Sequence, residues 1–170
     1  MLHSYQKKAS DQSHDAAMYA DLSEKYATYL KFLISFKVKY EFLNLRMTDV
    51  NAKAKAAGVV DLLAVYEQFD ALISQIFNFL EFQHFCQKTR LWSHVVLHLL
   101  LDLLKIYQVF YVLISEVLER FPNLGIDQAN KVLVMYFNFN NFTKALKDKA
   151  PAIMRLFEFH LTLPKFHNTD

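Results

Sequence analysis

Apolar residues recur along this chain at alternating steps of three and four positions, which is the spacing of one face of an α-helix. We call each such row of apolar positions a seam. The first seam is Leu22, Tyr26, Tyr29, Leu33, Phe36, Tyr40 and Leu43. A second seam is Leu62, Tyr66, Phe69, Ile73, Ile76 and Leu80. The last seam is Ala129, Val132, Tyr136, Phe139, Thr143 and Leu146. Each seam predicts one helix.

The limits of the first two helices follow from the residues around their seams. The first helix is predicted to run from Asp15 to Arg46, after a loose, polar segment over residues 1–14. Residues Met47–Gly58 are mostly small or polar, and the stretch ends in a glycine that favours a break in helical structure. This stretch is therefore predicted to link the first helix to the second. The second helix follows its seam and fades near Phe82.

Proline sets the limits of the remaining helices. A third helix is predicted over Leu91–Phe121, because Pro122 cannot continue it. Asp127 then occupies the position of an N-cap, and the fourth helix carries the last seam. A short fifth helix is predicted over Pro151–Leu161, since proline suits the first position of a helix, and a polar tail over residues 162–170 ends the chain.

The fold class follows from the seams and from the scarcity of turn residues. Two glycines and three prolines in 170 residues are too few for the turns of an all-β protein. Burial of one Leu or Phe contributes about 1.5–3 kcal/mol, so several per helix outweigh the strand preference of aromatic and β-branched residues. The links are short, which favours antiparallel neighbours. The sequence therefore predicts an all-α antiparallel helical bundle or solenoid of about four long helices plus a short C-terminal helix, in one domain over residues 15–161.

The third helix is apolar enough to be mistaken for a membrane span. Residues Trp92–Leu118 form a strongly apolar segment long enough to cross a bilayer. The polar residues of this segment recur every three or four positions, on one stripe of a helix: His94, His98, Asp102, Lys105 and Gln108. Asp and Lys at mid-depth in lipid are costly. A wide apolar face with a narrow polar stripe instead predicts the central helix of a soluble bundle.

Composition and charge narrow the possible functions. Hydrophobic residues make up 54% of the chain, with 16 Phe and 9 Tyr, which predicts either a broad core or an apolar surface for a partner. The 19 basic and 17 acidic residues are scattered, so there is no dense basic face for a nucleic acid. Cys86 is the only cysteine, which excludes an intrachain disulfide and a cysteine-based zinc motif and fits a reducing cytosolic setting.

Two groups of residues are candidates for chemistry. His94, His98 and Asp102 lie at i, i+4 and i+8, a spacing that can present three metal ligands on one helix face, but a solvated polar stripe explains them better. Cys86 lies near His84 without a glycine-rich elbow or an orienting partner, which favours an inert thiol. No Walker loop, dinucleotide fingerprint or triad spacing occurs. We therefore expect no enzyme and no cofactor, but a protein that binds a partner.

Several short segments resemble, in their residue patterns and in their order along the chain, segments of a known family. Tyr26–Leu30 opens a long helix with two tyrosines and a leucine, and Phe69–Ile73 reads FDALI near the end of the second helix. Arg120-Phe121 is a basic–aromatic pair that ends the third helix, and Ala129–Tyr136 opens the fourth with an A…L-x-x-Y pattern. Together these segments, over residues 2–150, resemble the C-terminal half of the ANTH domain of phosphatidylinositol-binding clathrin assembly proteins.

The resemblance implies a function and a binding site. It implies a non-enzymatic endocytic adaptor of clathrin-coated vesicle assembly, cytoplasmic and peripheral to clathrin-coated pits and vesicles. Its implied partners are the clathrin coat machinery and a vesicle SNARE helix or other partner helix. That helix would lie in an apolar groove at the positions Val117, Phe139, Thr143 and Leu146. The lysine-rich phosphoinositide motif of the family has no match here. Lipid binding is therefore expected in an N-terminal half that this chain lacks.

Alternatives remain open at this stage. One is a structural or oligomerisation bundle of another family, and a remote one is a metal-binding protein that uses the two histidines and the aspartate of the polar stripe. If the groove exists, Val117, Phe139 and Leu146 are expected to be partly exposed. The groove is also expected to be covered by the chain itself, through Ile153, Leu156 and Phe157 of the predicted fifth helix.

Overall fold

A computed structural model describes residues 2–166 of the chain, with side chains from Asp15 onward. All of the regular secondary structure in this range is helical, and no strand occurs among these residues. The helices are α1 (Leu2–Tyr40), α2 (Met47–Ala56), α3 (Val59–Leu80), α4 (Gln83–Cys86), α5 (Arg90–Glu119) and α6 (Ile126–Phe157). Two 3₁₀ turns cover Phe42–Asn44 and Phe121–Asn123. The predicted all-α fold with four long helices is confirmed.

Helix α5 lies at the centre of the bundle, in contact with α2, α3 and α6. Helix α3 runs antiparallel to α1, since its Phe69 stacks on Phe36 at 4.8 Å between ring centroids while its Phe79 lies 6.1 Å from Tyr26. On its other side α3 runs parallel to α6, where Phe77 meets Phe142 edge to face. The bundle is thus built as layers on both sides of α3 and α5.

An aromatic cluster joins three of the helices around Phe110 of α5, which is 1% exposed. Its ring lies 5.5 Å from Tyr66 and 6.1 Å from Phe69 of α3, and 4.9 Å from Phe139 of α6. Aromatic pairs of this geometry contribute about 0.5–1.5 kcal/mol each beyond the area that they bury. Phenylalanine rings thus connect α3, α5 and α6 inside the core.

Helix α5 is also the one helix among the described residues that is long and apolar enough to span a membrane by length and composition. In its most apolar stretch 56% of the residues are buried within the protein itself. The central helix of a soluble bundle has these properties as well, because its apolar surface is covered by its neighbours.

The first part of the chain differs from the prediction in three respects. Residues 2–14, predicted as loose, continue α1, and no glycine or proline interrupts this stretch. Helix α1 ends at Tyr40 instead of Arg46, because Glu41 adopts a left-handed backbone with φ 61°. The predicted link Met47–Gly58 contains α2, whose Val50 and Ala54 lie one turn apart and are fully buried against the core. Their burial makes this short, alanine-rich stretch helical.

The predicted fourth and fifth helices are one helix, α6, with Pro151 inside it. A proline in a helix interior removes one backbone hydrogen bond but keeps a helical φ, and the buried residues Ala150 and Ile153 on either side hold this part of α6 against the core. At its other end α6 is preceded by Gly125 at the N-cap position, so Asp127 lies in the first turn. There its carboxylate still favours the helix dipole.

Helix α6 ends at a left-handed residue, and the chain then turns back. Glu158 has φ 56°, and the backbone N–H of Phe159 donates to the carbonyl of Met154 at 2.8 Å, which closes the helix. We call residues 158–166 the strap. The prediction of a polar tail over residues 162–170 is wrong for its first part, because Leu163 and Phe166 pack against the core. The rest of the predicted tail, residues 167–170, lies outside the described residues.

The polar stripe of α5 is only partly solvated. His94, His98 and Gln108 are exposed as predicted. The carboxylate of Asp102, however, accepts a hydrogen bond of 2.6 Å from the hydroxyl of Tyr29 on α1. The Lys105 ammonium donates to the carbonyl of Leu45 at 3.0 Å, and so holds the turn between α1 and α2. These two side chains connect α5 to elements that precede it in the chain.

Arg120, which belongs to the basic–aromatic pair at the end of the predicted third helix, anchors α2. Its guanidinium donates to the carbonyls of Ala54, Lys55 and Ala57 at the end of α2, and it pairs with Glu116 at 2.8 Å. The last carbonyls of a helix lack partners within the helix, and a cation there also favours the helix dipole. Arg120 therefore caps α2 from the end of α5.

Replacing Arg120 with Ala should lower the stability of the fold. The loss of hydrogen bonds from a charged donor to carbonyls that remain partly buried costs about 2 kcal/mol. In a chain of this size that corresponds to a fall of about 4–8 °C in Tm, measured by circular dichroism. The control is Arg90→Ala, since Arg90 is exposed and has no recorded side-chain partner in the described part of the chain. An equal effect of both substitutions would contradict the capping role.

Candidate partner-binding groove

Helices α5 and α6 run antiparallel and leave an open groove between their outer edges. Its volume is about 270 Å³. The residues that line it are Tyr111, Ile114, Ser115 and Leu118 of α5 and Tyr136, Phe139 and Asn140 of α6. None of these side chains carries a charge at neutral pH. The groove is therefore an apolar surface with a few neutral polar groups along its rim, which is the character of a helix-binding site.

The residues predicted to line the groove lie beneath it. Val117, Thr143 and Leu146 are 0% exposed and Phe139 is 3% exposed. Among the four, only Phe139 reaches the groove, where it forms part of the floor. The expectation that Val117, Phe139 and Leu146 are partly exposed is wrong, because Val117 faces the core from α5 and the other two face it from α6. A role of these four residues in partner binding stays a prediction.

The contacts of the floor explain why it is buried. The ring of Phe139 stacks on Tyr107 at 5.6 Å and meets Phe110 edge to face at 4.9 Å. One turn further along α6, the hydroxyl of Thr143 donates to the Phe139 carbonyl at 2.8 Å. A polar side chain is tolerated there because its hydroxyl is satisfied within its own helix. These contacts make the floor rigid.

Sequence reasoning missed the two apolar residues that form the exposed rim. Leu118 is 38% exposed and Tyr136 is 44% exposed, on opposite sides of the groove. Tyr136 belongs to the last seam, so the sequence predicts it as an apolar position of the fourth helix but does not predict its exposure. Leu118 follows the buried Val117 directly and lies about 100° further around α5, which places it at the surface. A helical wheel of α5 is the only sequence signal for this residue.

The strap covers the neighbouring part of the same surface. The ring of Phe166 packs edge to face on Tyr107 of α5 at 5.1 Å. Beside it lies a cavity of about 440 Å³, lined on one side by Pro164, Lys165 and Phe166 of the strap. Tyr111 lines both this cavity and the open groove, so the two are neighbours along α5.

The residues expected to cover the α5–α6 groove do not cover it. Ile153, Leu156 and Phe157 were expected to occupy the groove, but all three belong to α6 itself. Ile153 is buried in the core, and the other two are half-buried near the end of the helix. The strap, not a separate fifth helix, is the segment that reaches the α5 surface.

The candidate chemical groups are held in inert arrangements. Burial is the main cause, and the hydrogen bond to Asp102 the second, of a raised pKa for Tyr29. The phenol therefore stays protonated and donates its hydrogen bond to the Asp102 carboxylate. Burial also raises the pKa of Cys86 to about 11, which keeps its sulfur as a thiol while His84 points to solvent. Across residues 15–166 no group of three His, Cys, Asp or Glu side chains is placed to hold a metal ion.

Comparison with known proteins identifies the family. The family model of the ANTH domain matches residues 2–148, which include α1 to α5 and most of α6. A search of curated proteins and a search of solved structures each found no match. The match excludes a helical bundle of another family. ANTH domains are non-enzymatic adaptor modules of endocytic clathrin coats. The chain belongs to the ANTH domain family.

Proposed function

We propose that this protein is a cytoplasmic endocytic adaptor that binds one helix of a partner protein in the α5–α6 groove. The observation that carries the proposal is the open, uncharged groove with Leu118 and Tyr136 exposed on its two walls. Large apolar side chains exposed together around a concave surface mark sites of protein–protein contact. The family adds the clathrin-coated membrane as the place of action.

The geometry of the walls fits a helical partner. Tyr111, Ser115 and Leu118 follow one another at i, i+4 and i+7 along α5, and Tyr136 and Asn140 at i and i+4 along α6. An amphipathic helix presents its anchors at the same intervals, so a helix that lies along the groove meets a side chain at every turn. The hydroxyl of Ser115 already donates to the Tyr111 carbonyl at 2.8 Å. The partner therefore does not have to satisfy it.

A vesicle SNARE helix is the partner that we propose, because helices of that kind are what the family is expected to hold in this position. The absence of charge along the groove supports an apolar stripe on the partner. In this arrangement Val117, Phe139, Thr143 and Leu146 act as the rigid layer beneath the bound helix. They set the separation of α5 and α6, and the rim residues make the contact.

Association with the clathrin machinery and with membrane lipid follows from the family. We do not assign phosphoinositide recognition to residues of this chain, because its sequence has no match to the lysine-rich motif of the family. A few scattered basic residues contribute only about 1 kcal/mol each to binding at an anionic surface. The protein–protein contact is therefore the part of the proposed function that this chain carries.

Replacing Leu118 with Ser should weaken binding of a vesicle SNARE helix about tenfold to hundredfold. The loss of one well-packed apolar anchor removes about 1–3 kcal/mol of binding free energy. Affinity is measured by isothermal titration calorimetry with a peptide that contains the SNARE motif. Circular dichroism of the same variant checks the fold, and little change is expected because Leu118 is at the surface.

The matched control is Leu101→Ser on the same helix. Leu101 is 41% exposed, nearly the same as Leu118, but it does not line the groove. Binding should be unchanged in this variant. Equal affinity of the two variants would contradict the groove as the binding site. Val117→Ser is unsuitable as a test of binding, since it damages the core first.

Deleting residues 159–170 should raise the affinity for the same peptide. The strap packs on Tyr107 beside the groove, and a site that is partly covered by its own chain binds with an apparent affinity reduced by the covered fraction. An increase of roughly threefold to tenfold is expected for a strap that covers the site most of the time. The single substitution Phe166→Ser should reproduce part of the increase. Unchanged or lower affinity in a folded deletion variant would show that the strap is not a cover.

A further inference from the structure

A second groove lies on the opposite flank of α6, between α6 and α3. Its volume is about 360 Å³. The lining residues are Leu63, Tyr66 and Glu67 of α3 and Asn130, Lys131 and Val134 of α6. Because α3 and α6 run parallel, their N-terminal halves lie side by side, and the groove follows each helix for about one turn. None of its residues takes part in the α5–α6 groove.

Large apolar side chains extend this groove onto the surface. Ile126 is 81% exposed and Phe137 is 64% exposed, and Leu133 and Val134 are each more than half exposed on the same outer face of α6. Val60, one turn before Leu63 on α3, is exposed to a similar degree. A soluble protein leaves this many large apolar residues together at its surface mainly where another molecule covers them.

The buried polar groups beneath the groove already have hydrogen-bond partners within the protein. The side-chain amide of Asn138 donates to the hydroxyl of Tyr66 across the two helices. Tyr66 is 7% exposed, and burial raises the pKa of its phenol, so it stays neutral. A ligand therefore meets a preformed apolar trough and does not have to pair buried polar atoms, which reduces the cost of binding.

The α3 wall of the groove is acidic. Glu67 lines the groove and Asp70 lies one turn further along α3; both are exposed, and α3 contains no basic residue along its length. The α6 wall adds Asp127 in its first turn and offers Lys131 as a single basic group. Three carboxylates, those of Glu67, Asp70 and Asp127, thus lie near one ammonium, in a chain whose net charge is +2. The local field favours a positively charged ligand.

We propose that the α3–α6 groove docks a basic amphipathic helix of a partner protein. The apolar stripe of that helix would cover Val134, Leu133 and Phe137, and its Lys or Arg side chains would lie along the acidic α3 wall beside Glu67 and Asp70. A second copy of this chain is disfavoured, since two acidic walls would then face each other. An anionic membrane is repelled by the same carboxylates. This groove differs from the α5–α6 groove in position and in charge.

The probe for this site is a fluorescein-labelled helical peptide of about five turns, with leucines at i, i+3, i+4 and i+7 and lysines elsewhere. Its binding to the full chain is measured by fluorescence anisotropy at two salt concentrations. We expect binding that weakens as salt rises, because the exposed carboxylates are screened. The same peptide with glutamate in place of lysine should bind at least about tenfold more weakly.

Val134→Gln should weaken binding of the lysine peptide about tenfold, because it removes an apolar anchor at the centre of the groove. The matched control is Val38→Gln, since Val38 is an equally simple exposed valine on α1, away from both grooves. It should bind as the unmodified chain does. Glu67→Gln should reduce the dependence on salt. Glutamine is a good helix former, so all three variants are expected to fold.

Four results would overturn the proposal. The first is equal binding by the Val134 and Val38 variants, and the second is equal binding of the glutamate peptide. The third is a loss of lysine-peptide binding in Leu118→Ser but not in Val134→Gln, which would place the peptide in the α5–α6 groove. The fourth is self-association of the chain or binding to phosphatidylserine vesicles that Val134→Gln abolishes, which would assign the surface to a second copy or to a membrane.

Discussion

The burial of α5 is the constraint on which the rest of the structure depends. This helix is apolar around most of its circumference, so it is stable in water only when α2, α3 and α6 cover it. The polar side chains that remain on it are used to position other parts of the chain. Asp102 holds α1 through Tyr29, Lys105 holds the turn before α2, and Arg120 caps the end of α2. Three elements, α1, the turn and α2, are thereby placed relative to one helix.

The two grooves that we propose as binding sites lie where the helices around α5 and α3 do not cover their neighbours completely. Helix α6 closes the last side of α5 with one face, which carries Phe139, Thr143 and Leu146 into the core. Because a helix is round, its two flanks leave grooves against α5 and α3. The uncharged groove against α5 is the one that we assign to the adaptor function, and the acidic groove against α3 is available to a different partner. The strap packs on α5 beside the first groove and lines the cavity next to it.

The sequence predicts the parts of this structure that depend on local periodicity. The seams give three of the four long helices, and the apolar segment that ends at Pro122 gives the other. The likeness to the ANTH domain gives the helix pair that forms the groove. The likeness implies Val117 as a groove residue, but it cannot say which of two neighbouring apolar side chains lies at the edge of a packed face, and the exposed one is Leu118. Helix α2 and the continuation of α6 through Pro151 depend on burial against distant residues. The strap has no periodic pattern, and its position depends on Tyr107, which lies far away in the sequence.

The central claim is that a partner helix binds in the α5–α6 groove. It is tested most directly by backbone amide NMR spectra of the isotope-labelled chain, recorded during titration with a vesicle SNARE helix peptide. The account predicts that shifted resonances cluster at 111–118 of α5 and 136–140 of α6. Further changes are predicted in the strap as it is displaced. Changes confined to α1 or α3, with the resonances of both groove walls and the strap unmoved at saturation, would contradict it.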